Sequence, residues 1–253
     1  MTDHRMIETT LMKIASAVLS GLLCVGVAQA NESAGLEPAN AHVSDKASVQ
    51  RGAGLFMNYC SGCHSLKYLR YSRFAEDYGL DEDDVMDNLV FTGAKFGEPM
   101  LSHMPAAEAE EWFGKAPPDL SLEARAKGPD WIYNYLKSFY LDPSSAVGWN
   151  NTVFPNASMP NALWELQGLQ VAVHAPAADG EAAHIEKLEL VQPGRMDAAQ
   201  FSQAARDITA FLQYAAEPAA LQREAIGLWV ILYLALFTLL AYFLKKEYWK
   251  DVH

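Results

Sequence analysis

Cysteine is scarce in this chain, with three in 253 residues. Two of them, Cys60 and Cys63, sit together, and Cys24 stands apart near the start. A disulfide framework of the kind that staples small secreted domains is therefore excluded. No second cysteine pair exists, which also excludes a structural zinc site built from two close pairs of ligands. Basic residues are few as well: 19 Lys and Arg stand against 31 Asp and Glu, a net charge of −12. That balance excludes the positively charged footprint through which proteins hold nucleic acid. Long apolar runs are confined to the two ends, around 14–27 and 226–244. Hydrophobic residues nevertheless make up 51% of the chain, enough for one or two domains with a real core in addition to those two runs.

The chain is organised around Cys60-Ser61-Gly62-Cys63-His64, the C-x-x-C-H signature of c-type haem attachment. The spacing has a chemical reason. Two thiols three positions apart on one helical turn can each form a thioether to one vinyl group of a porphyrin. The histidine that follows then lies under the iron as proximal ligand. The motif occurs once, so a single covalently bound haem c is expected.

The ends of the chain read as targeting and anchoring. Arg5 and Lys13 precede the small, apolar stretch 14–27, and Ala28-Gln29-Ala30 supplies an A-x-A cleavage site. Residues 1–30 are thus expected to be a removed signal peptide, which discards Cys24 and exports the rest. Ile226 to Leu244 is almost uninterrupted apolar sequence, long enough to cross a bilayer. Lys245, Lys246 and Lys250 follow it, whereas Arg223 before it is balanced by Glu224. The positive-inside rule then places the C-terminus in the cytoplasm and the haem domain in the periplasm. Trp229, Tyr242, Tyr248 and Trp249 suit the membrane interfaces. The expected organisation is signal peptide 1–30, haem domain 31–222, and anchor with a short tail 223–253. The haem domain carries about −13, because the signal region is neutral and the anchor region holds one extra base.

Between the ends, helical spacing begins near Lys46 and runs into Cys60, with Gly52, Leu55, Phe56 and Tyr59 on one side. A second amphipathic helix is expected over 198–216, with Phe201, Ala204, Ala205, Ile208, Phe211, Leu212 and Ala215 on its apolar face. Gly52 and Phe56, eight and four residues before Cys60, and the pair Phe211 and Tyr214 resemble the first and last helices of class I cytochromes c. An acidic stretch holds Glu76, Asp77, Asp81, Glu82, Asp83, Asp84 and Asp87. It suits both a helix start and a surface that steers a basic partner. Asp130 is placed to cap a helix bearing Trp131, Ile132, Tyr135, Leu136 and Phe139, which would wall the haem. A hairpin is expected from 169–174 and 185–191 around Asp179-Gly180. Arg125 could offer its guanidinium fork to a haem propionate.

For the sixth iron position two Met-Pro pairs compete, Met104-Pro105 and Met159-Pro160. A Pro- and Asn-bounded loop presents Met159, whereas a helical stretch follows Met104 at once; His103, His174 and His184 are rivals. Thioether ligation would raise the reduction potential relative to two histidines.

Taken together, Tyr59 to Leu66, Pro117-Pro118-Asp119-Leu120-Ser121 with Arg125, Met159-Pro160-Asn161-Ala162-Leu163-Trp164, and the C-terminal apolar run resemble the cytochrome c1 family of the respiratory cytochrome bc1 complex. The resemblance covers nearly the whole mature chain. It implies a mainly α, class I cytochrome c-like haem domain with inserted loops, a small β-hairpin and one C-terminal transmembrane helix. It implies His64 and Met159 as iron ligands, Cys60 and Cys63 as haem attachments, and Pro118 and Arg125 as haem neighbours, Arg125 beside a propionate. Relatives that carry an extra disulfide lack a counterpart here, so the methionine loop would be held by packing alone. The implied function is electron transfer, without substrate chemistry by this subunit, from a Rieske iron–sulfur protein to a soluble or tethered cytochrome c. The implied partners include cytochrome b in a dimeric complex in the bacterial inner membrane. A membrane-tethered carrier serving a terminal oxidase is the alternative, but about ninety residues separate the two motifs here, longer than a minimal carrier would need.

Overall fold

A computed structural model describes residues 35–175 and 184–251. The signal-peptide region, Cys24 and the Asp179-Gly180 turn lie outside the described residues. Two helices fix the frame. The first, α1 (Lys46–Tyr59), starts where the Asp45 carboxylate accepts from the Ser48 amide. Its packing partner spans Ala198–Ala216 and opens with a capping box between Asp197 and Gln200, which satisfies end amides that would otherwise lack partners.

These two helices cross where α1 has no side chain. A Cβ built on Gly52 would collide with the Asp207 carbonyl and sit 2.9 Å from the Phe211 Cβ. Only glycine permits that approach. Beside the crossing, the buried Asp207 carboxylate accepts from Ser48 Oγ at 2.6 Å, from Arg51 Nε at 2.7 Å and from Gln203 Nε2 at 2.8 Å. A buried charge is tolerable with that many donors. Next to it, Phe56 meets Phe211 at 5.4 Å, and Phe74 packs edge-on against Phe211 at 5.7 Å.

The segments between complete the domain. Strand β1 (Leu66–Arg70) follows the C-x-x-C-H turn and pairs antiparallel with β2 (Pro99–Met100). Helices α2 (Tyr71–Tyr78) and α3 (Glu82–Leu89) lie between them, with α4 (Ala106–Phe113) after. Asp77 departs from the rest of the acidic stretch: it is engaged by Arg73 Nε at 2.7 Å and by the Tyr214 hydroxyl at 2.9 Å. Glu82, Asp83 and Asp84 occupy the first turn of α3 and are exposed, where carboxylates suit the helix dipole.

Short α5 (Glu123–Ala126) leads to α6 (Pro129–Lys137). Here the sequence expectation needs correcting. Gly128, with φ at 89°, is the residue before the helix, and Pro129 takes the first helical position, as its fixed φ favours. Asp130 lies one residue inside, and its Oδ1 accepts from the Ala39 amide at 2.8 Å. It pins the N-terminal lead-in instead of capping.

The expected hairpin forms as β5 (Gly168–His174) and β6 (Ile185–Pro193). It belongs to a four-stranded sheet ordered β4-β3-β5-β6, with β3 (Phe139–Leu141) antiparallel to β4 (Trp149–Asn151) and parallel to β5. Helix α7 (Trp164–Gln167) precedes the hairpin, the Ala198–Ala216 helix is α8, and α9 (Ala220–Tyr248) ends the described chain. From Ala225 to Tyr248, α9 is long and apolar enough to cross a membrane, and none of its apolar window is buried against the rest of the protein. Its 24 residues there extend about 36 Å at 1.5 Å per residue, against a hydrocarbon core of about 30 Å. The architecture is the mainly helical one expected, with a small sheet and one apolar C-terminal helix.

Candidate haem site

The end of α1 delivers the site. The chain leaves the helix by a tight turn in which the amides of Cys63 and His64 both bond to the Cys60 carbonyl, at 3.0 and 2.8 Å. Cys60 and Cys63 are free thiols. Burial pushes the Cys60 thiol up to about 12, with Cys63 beside it adding to the effect, and burial raises Cys63 as well. Both are therefore neutral thiols at physiological pH. Among the described residues, no cluster of three or more His, Cys, Asp or Glu is arranged to hold a metal ion.

His64 is oriented by the Pro117–Ser121 segment, which folds onto the residues after the motif. Leu120 N bonds to the Ser65 carbonyl at 2.9 Å. The Asp119 carboxylate accepts from the Lys67 amide at 2.9 Å, and Ser121 Oγ accepts from the Tyr68 amide at 3.1 Å. This clamp places the Pro118 carbonyl 2.8 Å from His64 Nδ1. A carbonyl only accepts, so Nδ1 carries the proton and Nε2 keeps a free lone pair. Burial lowers the histidine pKa, partly offset by the Pro118 hydrogen bond. The result is a neutral imidazole with one nitrogen available, the state a metal requires.

In front of His64 opens a cleft with two lobes of about 590 and 1010 Å³. Cys60, His64, Lys115, Pro118, Ser158 and Met159 line both. One lobe adds Cys63, Phe113 and Pro160; the other adds Trp131, Tyr135, Phe154, Ile208 and Leu212. The aromatic wall is ordered: Trp131 stacks on Tyr135 at 4.9 Å with rings 10° apart, and Phe154 meets Trp131 nearly edge-on at 6.3 Å. Two thiols at one side, a neutral imidazole, a thioether and apolar walls fit a covalently held haem.

The methionine loop is built differently from the expectation of packing alone. Asn150 and Asn151 are buried and act as its hubs. Asn151 Oδ1 accepts from the amides of Val153 and Phe154 at 2.9 and 3.1 Å, while its Nδ2 donates to the Tyr135 carbonyl at 2.9 Å. Asn150 Oδ1 accepts from the Asn156 amide at 2.8 Å. After the methionine, Asn161 bonds Gln167 at 2.8 Å, and Gln167 reaches the Lys137 carbonyl at 2.7 Å. Side-chain amides thus do the holding that a disulfide might otherwise share. The run Trp149-Asn150-Asn151 was the available signal, and it reads as an ordinary turn without the fold.

The rivals of Met159 fall elsewhere. Met104 lines a neighbouring cavity that shares Cys63 and Pro117 with the cleft and is bounded by Ser65, Lys67 and Ser102. His103, His174 and His184 are exposed and line neither lobe. Arg125 is exposed too; its guanidinium lies 3.7 Å from Glu217, and it is not among the cleft-lining side chains. The cations that line the cleft among the described residues are Lys115 and Lys127, whose ammonium groups lie over Phe154 and Trp131.

A profile of the cytochrome C1 family matches residues 39–252. A cytochrome c1 of Allochromatium vinosum is 50% identical over 219 residues, covering 86% of this chain and 90% of the relative. A Nitrosomonas europaea protein named ammonia monooxygenase gamma subunit is 41% identical over 83% of this chain and 86% of its own length. A Bradyrhizobium diazoefficiens protein named cytochrome b/c1 is 26% identical over 83% of this chain but only 34% of the relative.

Proposed function

The chain belongs to the cytochrome C1 family, and from that premise we propose that it passes electrons within a cytochrome bc1 complex, from a Rieske iron–sulfur protein to a cytochrome c. The observation that carries this reading is the cleft that holds His64, Met159 and the Cys60–Cys63 pair together. Bound there, a haem would supply a one-electron Fe(II)/Fe(III) couple. The protein's part is to hold it. Each thiol would add across one vinyl double bond, sulfur to one carbon and the thiol proton to the other, so the group cannot dissociate. His64 Nε2 would ligate from one face, kept in the right tautomer by the Pro118 carbonyl. Met159 would ligate from the other, kept in place by the asparagine hubs. With both protein ligands kept in either oxidation state, little rearrangement of the chain would accompany electron transfer, and the apolar walls would exclude water. Lys115 and Lys127, which line the cleft, would be the cations available to pair with the propionates. Arg125 would first have to leave Glu217.

The wider assignment follows the same reading. Helix α9 is the anchor, and the lysines after it favour a cytoplasmic C-terminus and a periplasmic haem domain. Cytochrome b is the neighbour that such an anchor would pack against, in a dimeric assembly. A relative named for both b and c1 in one chain supports that proximity. The test is to purify the tagged full-length chain from membranes in mild detergent. The proposal expects b-type haem and an iron–sulfur protein to travel with it; a chain that purifies alone, where a known membrane complex survives, would leave it a tethered carrier.

A further inference from the structure

Strand β6 is the last of its sheet. One of its edges pairs with β5, and among the described residues no strand pairs with the other. Such an edge carries a row of amides and carbonyls that another chain can continue. Glu186, Lys187, Glu189, Leu190 and Val191 are exposed, and Leu188 is half-buried. Glu186 and Val191 bulge out of register with β5, which leaves 187–190 as one straight run.

The charges of that run are self-complementary. Lys187 and Glu189 share one face, 4.0 Å apart, and Leu188 points to the other. A second β6 can lie alongside in antiparallel sense, with the two-fold axis at Leu188. Lys187 of each copy then faces Glu189 of the other, and Leu188 meets Leu188. Unlike charges directly opposite one another stabilise a strand pair, and like charges destabilise it. Moving the axis one residue either way sets Lys187 against Lys187 or Glu189 against Glu189. Charge therefore selects the register as well as the partner.

We propose that β6 is a self-association edge, through which two copies of this chain join their sheets about a two-fold axis at Leu188. The proposal deepens the dimeric reading above and rests on it for bringing two copies into one membrane. A pairing this short buries little surface, but copies anchored in one bilayer meet at a raised effective concentration. The contact uses the same edge of both copies, so it closes at two.

The experiment places single cysteines on β6 of the full-length protein in native membranes. Disulfide-linked dimer is read on non-reducing gels after mild oxidation, and a haem stain confirms that each variant has matured. Leu188→Cys is expected to cross-link to its own copy, because residues directly opposite in an antiparallel pair lie about 4.5–5.5 Å apart at Cα, within disulfide range. Gln192→Cys, four positions from the axis, is expected to give none. In the Leu188→Cys background, Lys187→Glu is expected to cut the yield several-fold, and adding Glu189→Lys to restore it. No dimer from Leu188→Cys, equal yields at both positions, or a yield indifferent to the charge changes would overturn the proposal. A product linked to a different protein would give the edge to another subunit and overturn it too. A chain that co-purifies with b-type haem yet fails to cross-link loses only the β6 contact. One that cross-links through Leu188→Cys but purifies without b-type haem keeps the contact and loses the wider assignment.

Discussion

The Pro118 carbonyl oxygen sits 2.8 Å from His64 Nδ1, and that contact joins two motifs fifty-four positions apart. One carries the haem-attachment cysteines. The other, Pro117 to Ser121, contributes a backbone atom that decides which imidazole nitrogen is left for iron. The clamp that positions it depends on Asp119, whose carboxylate accepts from the amides of Lys67 and Ser121 at 2.9 and 3.0 Å.

Replacing Asp119 by alanine should therefore remove two hydrogen bonds, one exposed and one part-buried. The expected cost is about 0.5–1.5 kcal/mol of holoprotein stability, read from the denaturant midpoint. Asp119→Asn, which keeps an acceptor oxygen, should lose less. Equal stability of Asp119→Ala and wild type would mean that the clamp does not hold the segment.

Met159 and Met104 separate cleanly by mutation. Met159→Leu removes the thioether from the cleft, so the midpoint potential should fall and the ferric methionine-to-iron band should vanish. Met104→Leu alters the neighbouring cavity beside Cys63 and should leave both unchanged. The reverse pattern would transfer the ligand role to Met104.

Asn151 is 1% exposed and serves two loop amides and the Tyr135 carbonyl. Asn151→Ala would strand those groups, at about 1–3 kcal/mol. Because the loop presents Met159, the same variant should lose part of its methionine-to-iron band as temperature rises, earlier than wild type does. A band that persists to the wild-type temperature would show that the asparagine does not position the ligand.

How much of this was legible in the chain depends on the length scale of the signal. The attachment motif, the two long helices and the apolar C-terminal run announce themselves because fixed spacing or sustained periodicity survives without tertiary context. Gly52 was visible as a small residue at a crossing, and the collision that awaits any Cβ there explains why. The strands β3 and β4 have three residues each, too short to show alternation. Asp130 was misread because its carboxylate finds the Ala39 amide, ninety-one positions away. The asparagine hubs gain their meaning only from what they touch. Arg125 was read as a propionate partner from its motif; in the structure its guanidinium lies 3.7 Å from Glu217, which also pairs with Arg223 at 2.6 Å.

The exposed carboxylates Glu82, Asp83 and Asp84 on a domain of strong negative charge should steer a basic acceptor. Its rate of reduction should fall as ionic strength rises and the Debye length shortens, to about 10 Å at 0.1 M. Neutralising Asp83 and Asp84 to asparagine should flatten that dependence. A wild-type rate indifferent to salt would reject the steering surface.

The most direct measurement is the haem content of the full-length protein after acid–acetone extraction, which removes haem that is not covalently bound. The account predicts one c-type haem per chain, still attached to the polypeptide, and none in a variant with both Cys60 and Cys63 replaced by alanine. Haem that leaves with the solvent, or a wild-type chain that holds none, would contradict it.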